Sequence, residues 1–288
     1  MATNTTHAWD RQFASRSPVF EPLQHIAERF SRFVHRWPQL EDYQAVLDHW
    51  PQPILSAIGK PINVVPQDAK PRCFASHYVP RIHFSGELQT RAEHWHDFFQ
   101  LLTWLMFPKT KALIYQLAVP DARRRLEDPA AERRGHRSPL ENMLALFDEG
   151  GAVVVASDRS LLQLVESFQW KTLFWQRRSE LNDRLQCVSF GHALYEKALA
   201  PYVGMTAHAV LLTVENGYFS MPWQQRLAYL DNRLVSLLAD RERYSRPADL
   251  APFPVLGMPG WDMTNECEDY YNNASYFRRG RRERRQHG

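Results

Sequence analysis

Two histidine–carboxylate pairs occur in segments with helical patterns, and these residue types can transfer protons or bind metal ions. The first pair, His96 and Asp97, opens the apolar segment 98–107. On a helix of 3.6 residues per turn, His94 and His96 lie about 200° apart, so they cannot serve one site together, whereas Gln100 shares a polar stripe with His96. The first pair could therefore orient a base, bind a cation or hold a substrate.

The second pair, His192 and Glu196, is four residues apart and shares one helix face. At this spacing the two side chains can supply two metal ligands, or a base and the group that orients it. A third, acidic pair, Asp148 and Glu149, stands at a predicted helix-to-strand turn. The other interpretation of all three pairs is structural, since such pairs also fasten helices together or cap turns.

We interpret four of these residues as candidate catalytic residues and three as candidate ligand-binding residues. The candidate catalytic residues are His96, Asp97, His192 and Glu196, and the candidate ligand-binding residues are Gln100, Asp148 and Glu149. We expect the first pair to face the helix of the second pair, with His94 outside the group, because burying such groups unpaired would cost about 1–3 kcal/mol each. A separation of His96 and His192 beyond about 12 Å would exclude a shared ligand or metal shell. The sequence leaves the metal and the cofactor unknown.

The C-terminus carries the positive charge of the chain. Residues 278–285 contain six arginines and one glutamate, a local charge of +5 in a chain of net charge +3. Arginine clusters attract phosphate, and the neighbouring Tyr276 and Phe277 could stack on bases. Arg278 is therefore a further candidate ligand-binding residue, and Arg278–Arg285 could contact an acidic partner or nucleic acid. The alternative is a solubilising, disordered terminus.

Composition and missing motifs exclude several common classes of protein. With 44% hydrophobic and 23% charged residues among 288, the chain has the composition of a globular protein. It lacks the ~20-residue apolar run that spans a bilayer and the apolar region of a secretion signal. Its three widely spaced cysteines argue against a disulfide scaffold, so we expect a cytoplasmic protein. It also lacks the signatures of P-loop NTPases, dinucleotide-dependent dehydrogenases, α/β-type serine hydrolases and HExxH metalloproteases.

Hydrophobic periodicity and turn signals predict the elements that position these residues. Helices are predicted in two segments between Phe20 and Trp50, at 91–107 after a capping box at Thr90–Glu93, at 139–147 after a capping box at Ser138, and at 160–178, 192–200 and 223–243. Extended segments are predicted at 59–67, 152–156, 185–190 and 207–213, the last followed by a hairpin turn at Asn216-Gly217. Residues 76–90 are typical of an edge strand or irregular loop, and 120–139 of an exposed loop.

These elements predict an α+β fold, a mostly helical single domain with a small sheet and a long loop-rich C-terminal segment. The predicted organisation has four parts: a disordered N-terminus at 1–18, a helical N-terminal extension at 19–64, the main α+β domain at 65–280 and a basic disordered tail at 281–288.

Four separated motifs occur in one order along the chain: TRAEHWHDFFQLLTWLMFPKTKA, LALFDEGGAVV, FGHALYEKALAPYVGMTAH and PVLGMPGWDMTNECEDYYNNASYFRRGRR. Together they resemble a proteobacterial family known as domain of unknown function 3025, over about Tyr78 to Arg282. The residues that match the family pattern include His96, Asp97, Asp148, Glu149, His192 and Glu196. The pattern has Asn at Gln100, an acidic residue at Val79 and Asp-Asp at Asn272-Asn273, so the resemblance does not imply a cation site in this chain. It implies a shared fold and supplies no reaction.

Two functional hypotheses follow, and they leave open whether the protein is an enzyme. The first is a soluble bacterial hydrolase that uses the His/carboxylate cluster between two helices. The alternative is a non-catalytic binding protein that engages an acidic partner or nucleic acid through its Arg-rich C-terminus. Convergence of His96 and His192 in space would favour the first hypothesis, and well-separated, fully packed pairs would favour the second.

Overall fold

Residues 8–67, 71, 73–127 and 137–280 are described by a computed structural model, which shows a mostly helical α+β fold with two small sheets. The α-helices are α1 (Gln24–Ala27), α2 (Leu40–Asp48), α3 (Tyr78–Ser85), α4 (Trp95–Met106), α5 (Pro108–Glu127), α6 (Pro139–Gly150), α7 (Arg159–Glu166), α8 (Arg178–Arg184), α9 (His192–Ala198) and α10 (Trp223–Ala239). The strands are β1 (Asn63–Pro66), β2 (Glu87–Thr90), β3 (Gly151–Ala156), β4 (Leu185–Ser189), β5 (Thr206–Thr213) and β6 (Ala251–Pro254).

The larger sheet has the strand order β4-β3-β5-β6. Strand β3 pairs antiparallel with β4 and parallel with β5, and β6 adds antiparallel to β5. Every residue of β3 is buried, as the β-branched run predicts for a central strand. Strands β1 and β2 form a separate parallel pair. Among the helices that the structure describes, none is long and apolar enough to cross a membrane.

The predictions for the central part of the chain are confirmed. Strands β3, β4 and β5 occupy the predicted segments, and α9 begins at His192. The capping box at Ser138 is present, with the backbone N of Glu141 donating to Ser138 Oγ at 3.0 Å and the backbone N of Ser138 donating to Glu141 Oε2 at 3.2 Å. This cap fixes the start of α6, the helix that ends next to Asp148 and Glu149.

The capping box predicted at Thr90–Glu93 is wrong. Thr90 is the last residue of β2, and its hydroxyl donates to the carbonyl of Leu88. Pairing with β1 keeps this segment extended, and Glu93 then takes a left-handed backbone conformation at φ 55°. Helix α4 starts only at Trp95, and the carboxylate of Asp97 reaches back to the backbone N of Arg91 at 2.7 Å.

Three local predictions are wrong because tertiary packing selects helix. Within 76–90, residues 78–85 form α3 rather than a strand or loop, and within 120–139, residues 120–127 continue α5, while 128–136 lie outside the described residues. Asn216-Gly217 begins a short 3-10 helix at 216–220 that leads into α10, so no hairpin forms there.

The N-terminal segment packs on the core. Phe13 is fully buried between the rings of Phe98 and Phe99, with ring centres 5.6 Å and 5.5 Å away, and Trp9 stacks on Trp95 at 5.2 Å. The prediction of disorder is therefore wrong for residues 8–18, because the aromatic side chains there complete the apolar face of α4. Residues 1–7 and the tail at 281–288 lie outside the described residues.

The C-terminal segment wraps over the sheet and is held by buried polar contacts. Asn265 donates from its side-chain amide to the carbonyls of Leu256 and Met258, and the hydroxyl of Tyr276 donates to the carbonyl of Met205 at 2.7 Å. Phe277 is buried beside Tyr276. This segment of the family motif thus has a structural role in the part of the chain described, and neither ring is available to stack on bases.

Candidate functional site

A cleft of about 350 Å³ lies between helices α3, α4, α5 and α6 and the start of α9. This size suits a small molecule. Its lining combines polar side chains with apolar residues of α5 and α6. The polar residues that line it include Gln67, Tyr78, Gln89, Arg91, His96, Asp97, Gln100, Tyr115, Arg125, Arg137, Glu141, Asp148, Glu149 and His192, and the apolar ones include Ile114, Ala118, Ala122, Leu126 and Leu144.

His96 and His192 meet at this cleft from two packed helices, α4 and α9. Their Nε2 atoms are 3.0 Å apart, and the Nδ1 atom of His96 is 2.9 Å from Oε2 of Glu196. The side chain of His96 is 28% exposed, whereas His192 is buried. The structure therefore brings three of the four candidate catalytic residues together, as predicted.

Glu196 fixes the tautomer of His96. Burial raises the pKa of the Glu196 carboxyl, but the hydrogen bond and charge of His96 outweigh it, so the pKa lies below its usual value. A carboxylate only accepts hydrogen bonds, so Nδ1 of His96 must carry the proton between them. Nε2 of His96 is then left to face His192, and this is the nitrogen that could accept a proton from a bound molecule.

His192 is held in place by a close approach between the start of α9 and the end of α6. A side chain at Gly191 would overlap the carbonyl oxygen of Glu149, so only glycine permits this approach. Burial, together with the nearby Lys111 cation, lowers the pKa of His192 to about 3, and its ring is neutral at pH 7. Its Nδ1 atom lies 3.9 Å from Oδ2 of Asp148, too far for a hydrogen bond.

Asp148 sits behind His192 and forms a buried ion pair. Its Oδ1 atom accepts from Nζ of the fully buried Lys111 at 2.7 Å, and its Oδ2 atom accepts from the hydroxyl of Tyr115 at 3.2 Å. Burial raises the pKa of the Asp148 carboxyl, but Lys111 outweighs that effect and the pKa lies below its usual value. The cleft thus ends on a carboxylate that stays charged at neutral pH.

A directed series of hydrogen bonds extends from Asp148 through three polar side chains that line the cleft. Because the hydroxyl of Tyr115 donates to Asp148, the hydroxyl of Tyr78 must donate to Tyr115, 3.2 Å away. The side-chain amide of Gln100 in turn donates to Tyr78. Burial raises the pKa of Tyr115 well above its usual value, so its proton stays in place. Gln100 lines the cleft, and this series of hydrogen bonds leaves its side-chain carbonyl oxygen as an acceptor.

Asp97 does not join the histidine cluster, contrary to our expectation that it faces α9. Both of its oxygens are occupied by the guanidinium of Arg91, at 2.9 Å and 2.8 Å, and by the backbone N of Arg91. Nδ1 of His94 is 3.7 Å away on the same side. Asp97 therefore anchors the loop between β2 and α4, and this contact places Arg91 at the rim of the cleft. His94 stays outside the cluster, as predicted.

The ligand-binding candidates divide into two groups. Gln100, Asp148 and Glu149 line the cleft, and Glu149 is exposed there. Arg278 lies elsewhere, at a second cleft of about 380 Å³ beside Trp170 and Tyr276, and its backbone carbonyl accepts from Nε1 of Trp170 at 2.7 Å. Arg278 is therefore not part of the histidine site.

Lys111, Tyr78 and Tyr115 belong to the site but were not identified from the sequence. Lys111 comes three residues after Pro108 and two after Lys109, so its signal was one of two nearby lysines at the start of a segment of apolar character. A fully buried lysine needs a carboxylate partner, and Asp148 was the buried acidic residue that could supply it. The two tyrosines offered no signal beyond their ring type.

Two of the departures from the family pattern lie at the cleft and one does not. Val79 and Gln100 line the cleft. Asn272 instead accepts from Nζ of Lys171 at 2.9 Å, on the C-terminal segment. Within the described residues, no group of three or more histidine, cysteine, aspartate or glutamate side chains is placed to hold a metal ion.

Comparison with known proteins gives one match. A family model described as "Protein of unknown function (DUF3025)" matches residues 62–281, which confirms the resemblance seen in the four motifs. No curated protein and no solved structure matches the chain.

Proposed function

Since the chain belongs to the DUF3025 family, whose description names no reaction, its chemistry has to be argued from the cleft, and we propose that the protein is a hydrolase that activates water at His96 and His192. One observation carries the proposal. The two Nε2 atoms face each other at 3.0 Å, and the Nδ1 edge of each ring is directed to a carboxylate, at 2.9 Å for Glu196 and 3.9 Å for Asp148. A base held by a carboxylate is the arrangement that general-base catalysis requires.

The proposed step moves one proton. A water molecule at the Nε2 edge of His96 gives a proton to that nitrogen while its oxygen bonds to the electrophilic carbon or phosphorus of the substrate. The carboxylate of Glu196 stabilises the imidazolium that forms, since the two atoms already share a hydrogen bond. The leaving group takes the proton from His96 as its bond to the substrate breaks, which returns the ring to its starting state.

The walls of the cleft support a small substrate with an apolar part. Ile114, Ala118 and Leu126 are apolar lining residues of α5 that can pack against a hydrocarbon group. Gln100 and Arg91 are among the polar residues that line the same cleft. We therefore propose a small ester, amide or phosphoester as the substrate class.

The test is a panel of chromogenic esters, amides and phosphoesters, assayed with the full chain. His96→Gln keeps a polar side chain of similar size and should abolish hydrolysis of any active substrate. His35→Gln is the matched control, because His35 is exposed and lies outside the cleft, and it should leave the rate unchanged. Equal rates for the two variants would contradict the proposal.

Fewer observations support the non-catalytic alternative than support the hydrolase. The rings of Tyr276 and Phe277 are buried, which removes the stacking surface on which it partly depended. Its arginines at 281–285 lie outside the described residues.

We also propose that the protein works in the bacterial cytoplasm. Cys73, Cys187 and Cys267 are all unpaired, as expected in a reducing compartment. Detection of the native protein in a membrane or periplasmic fraction of its host, rather than the cytosolic one, would contradict this assignment.

A further inference from the structure

We propose that His96 and His192 bind one divalent transition-metal ion through their Nε2 atoms, with water or a substrate oxygen in the remaining coordination positions. The inference deepens the proposed function and rests on it for the role of the ion. Binding of the ion is argued from the geometry of the two rings and from the number of protons that they can carry.

The relative direction of the rings favours a shared ligand over a simple hydrogen bond. The ring centres are 4.4 Å apart and the ring planes are nearly perpendicular, at 86°. A linear hydrogen bond across the 3.0 Å between the Nε2 atoms would hold the ring centres roughly 5 Å apart. The axes are therefore bent. An ion about 2.0–2.1 Å from each Nε2 atom would subtend about 95° between them, close to the angle of two adjacent ligands.

Without an ion, the ring protons of the cluster leave one buried nitrogen without a partner. Two contacts within hydrogen-bond distance join atoms that are acceptors when unprotonated, Glu196 with Nδ1 of His96 and Nε2 with Nε2, whereas Nδ1 of His192 lies 3.9 Å from Oδ2 of Asp148 and makes no hydrogen bond to it. Two neutral imidazoles carry only two ring protons. If one of them lies between the Nε2 atoms, Nδ1 of His192 is left as a buried lone pair that faces a carboxylate.

That nitrogen has no hydrogen-bond partner in the described part of the chain. An ion between the Nε2 atoms needs no proton there, so the ring proton of His192 can lie on Nδ1, on the side of Asp148, while that of His96 stays on Nδ1 beside Glu196. Histidines that ligate metals usually donate their other N–H to a carboxylate or carbonyl in this way. Glu196 and Asp148 stand in that position behind His96 and His192.

The ligand type selects the ion. Neutral imidazole suits zinc and its neighbours in the first transition row, whereas Mg²⁺ and Ca²⁺ prefer oxygen ligands. The protein supplies two ligands, so the other positions open into the cleft, as catalytic metal sites require. A zinc-bound water has its pKa lowered toward 7. With the ion bound, Nε2 of His96 would be a metal ligand, and the zinc-bound water would supply the nucleophile of the proposed hydrolysis in place of a water activated by that nitrogen.

A third proton, which makes one ring an imidazolium, is the competing explanation of the same geometry. Under that explanation, His96 and His192 hold each other by hydrogen bonds and need no metal ion between their Nε2 atoms. The two explanations differ in whether the chain binds an ion at all, and this can be measured without any substrate.

The experiment is calorimetric titration of the untagged full chain with Zn²⁺ after treatment with a chelator. We expect one Zn²⁺ per chain and no heat from Mg²⁺ at the same concentration. His96→Gln and His192→Gln should each weaken Zn²⁺ binding at least ~10-fold, and Co²⁺ should give a visible absorption band that both variants lose. His35→Gln, which removes an exposed histidine, should bind as the parent does.

Glu196→Ala protects the test against misfolding of the buried His192 variant. Glu196 is part-exposed, so its loss should leave the fold intact while weakening Zn²⁺ binding about 10–100-fold. Absence of Zn²⁺ binding, or binding that is unchanged in both histidine variants, overturns the inference. Zn²⁺ binding without hydrolysis of any substrate would contradict the proposed function and leave this inference standing. Hydrolysis by a chelator-treated chain that binds no Zn²⁺ would contradict this inference and leave the proposed function standing.

Discussion

Replacing Lys111 with methionine should lower the free energy of unfolding by about 3–5 kcal/mol, because it leaves a buried carboxylate without its cation. Lys111 is fully buried and donates to Asp148 at 2.7 Å, and among the residues that the structure describes the hydroxyl of Tyr115 is the other donor to that carboxylate. Methionine is unbranched, flexible and shorter than lysine by one heavy atom, so the effect reports mainly the loss of the charge rather than a large cavity. The melting temperature should fall by roughly 6–15 °C.

The loss should depend on pH with a defined sign. In the parent protein the pKa of Asp148 lies below its usual value of 3.8, so the pair adds stability above that value, and this stability is lost as the pH falls through the lower, folded pKa. In Lys111→Met burial, the largest influence on Asp148, loses its main opponent and is opposed by the hydrogen bond of Tyr115 and by His192, so we expect the pKa of Asp148 to rise and stability to fall as the pH rises from 3.8. The difference between the two proteins should therefore be small near about pH 4 and full near about pH 7.

Urea denaturation at these two pH values measures the effect. Lys109→Met is the matched control, since Lys109 is on the same helix with an exposed contact to Asn232, and it should cost less than about 0.5 kcal/mol. The double variant Lys111→Met/Asp148→Asn should recover part of the loss, because no buried charge remains. A Lys111→Met cost equal to that of the control, or additive losses in the double variant, would refute the account of this pair.

Three further predictions concern the cleft wall, its supporting turn and the tail. Gly191→Ala should lower the free energy of unfolding by about 1–3 kcal/mol and weaken Zn²⁺ binding, because the added methyl group overlaps the end of α6. Gly217→Ala is the control, since its methyl group meets nothing within 4 Å, and it should change the free energy of unfolding by less than about 1 kcal/mol. Tyr115→Phe removes a buried donor and should cost about 1 kcal/mol by urea denaturation, whereas Tyr202→Phe at an exposed position should cost almost nothing. If the Arg-rich C-terminus binds nucleic acid, the affinity of the full chain for RNA should fall steeply as the salt concentration rises, and a chain truncated after Gly280 should not bind RNA. Equal, salt-insensitive RNA binding by the full and the truncated chain would contradict that hypothesis.

The sequence predicted the elements whose signals are local. The β-branched run at 152–156 and the capping box at Ser138 specify a strand and a helix start without reference to other parts of the chain. Thr90 shows the limit of such signals, because its capping motif was overridden by parallel pairing of β2 with β1, 24 residues away in sequence. The N-terminal rings were misjudged for a related reason, since a lone Trp9 or Phe13 has no periodicity and its burial depends on α4.

The site was predictable where two residues share a helix face and not where partners come from different elements. Helical geometry alone placed His192 beside Glu196 and separated His94 from His96. The pairing of Asp97 with Arg91 depends on the path of the loop after β2, which the wrong capping box concealed. The partnership of Lys111 with Asp148 joins α5 to α6, and no spacing rule in the sequence encodes it.

The central claim is that the rings of His96 and His192 converge, with Nδ1 of His96 held by Glu196. Long-range ¹H–¹⁵N correlation spectra of the imidazole rings test it most directly, with the two rings assigned through His96→Gln and His192→Gln. In the chelator-treated chain, we predict that His96 carries its proton on Nδ1 and that this proton loses its protection from exchange in Glu196→Ala. With Zn²⁺ added, we predict that both Nε2 resonances shift together while both Nδ1 atoms stay protonated. Two rings that each show the mixed tautomers of an exposed histidine, with neither spectrum altered by substitution of the other ring, would contradict it.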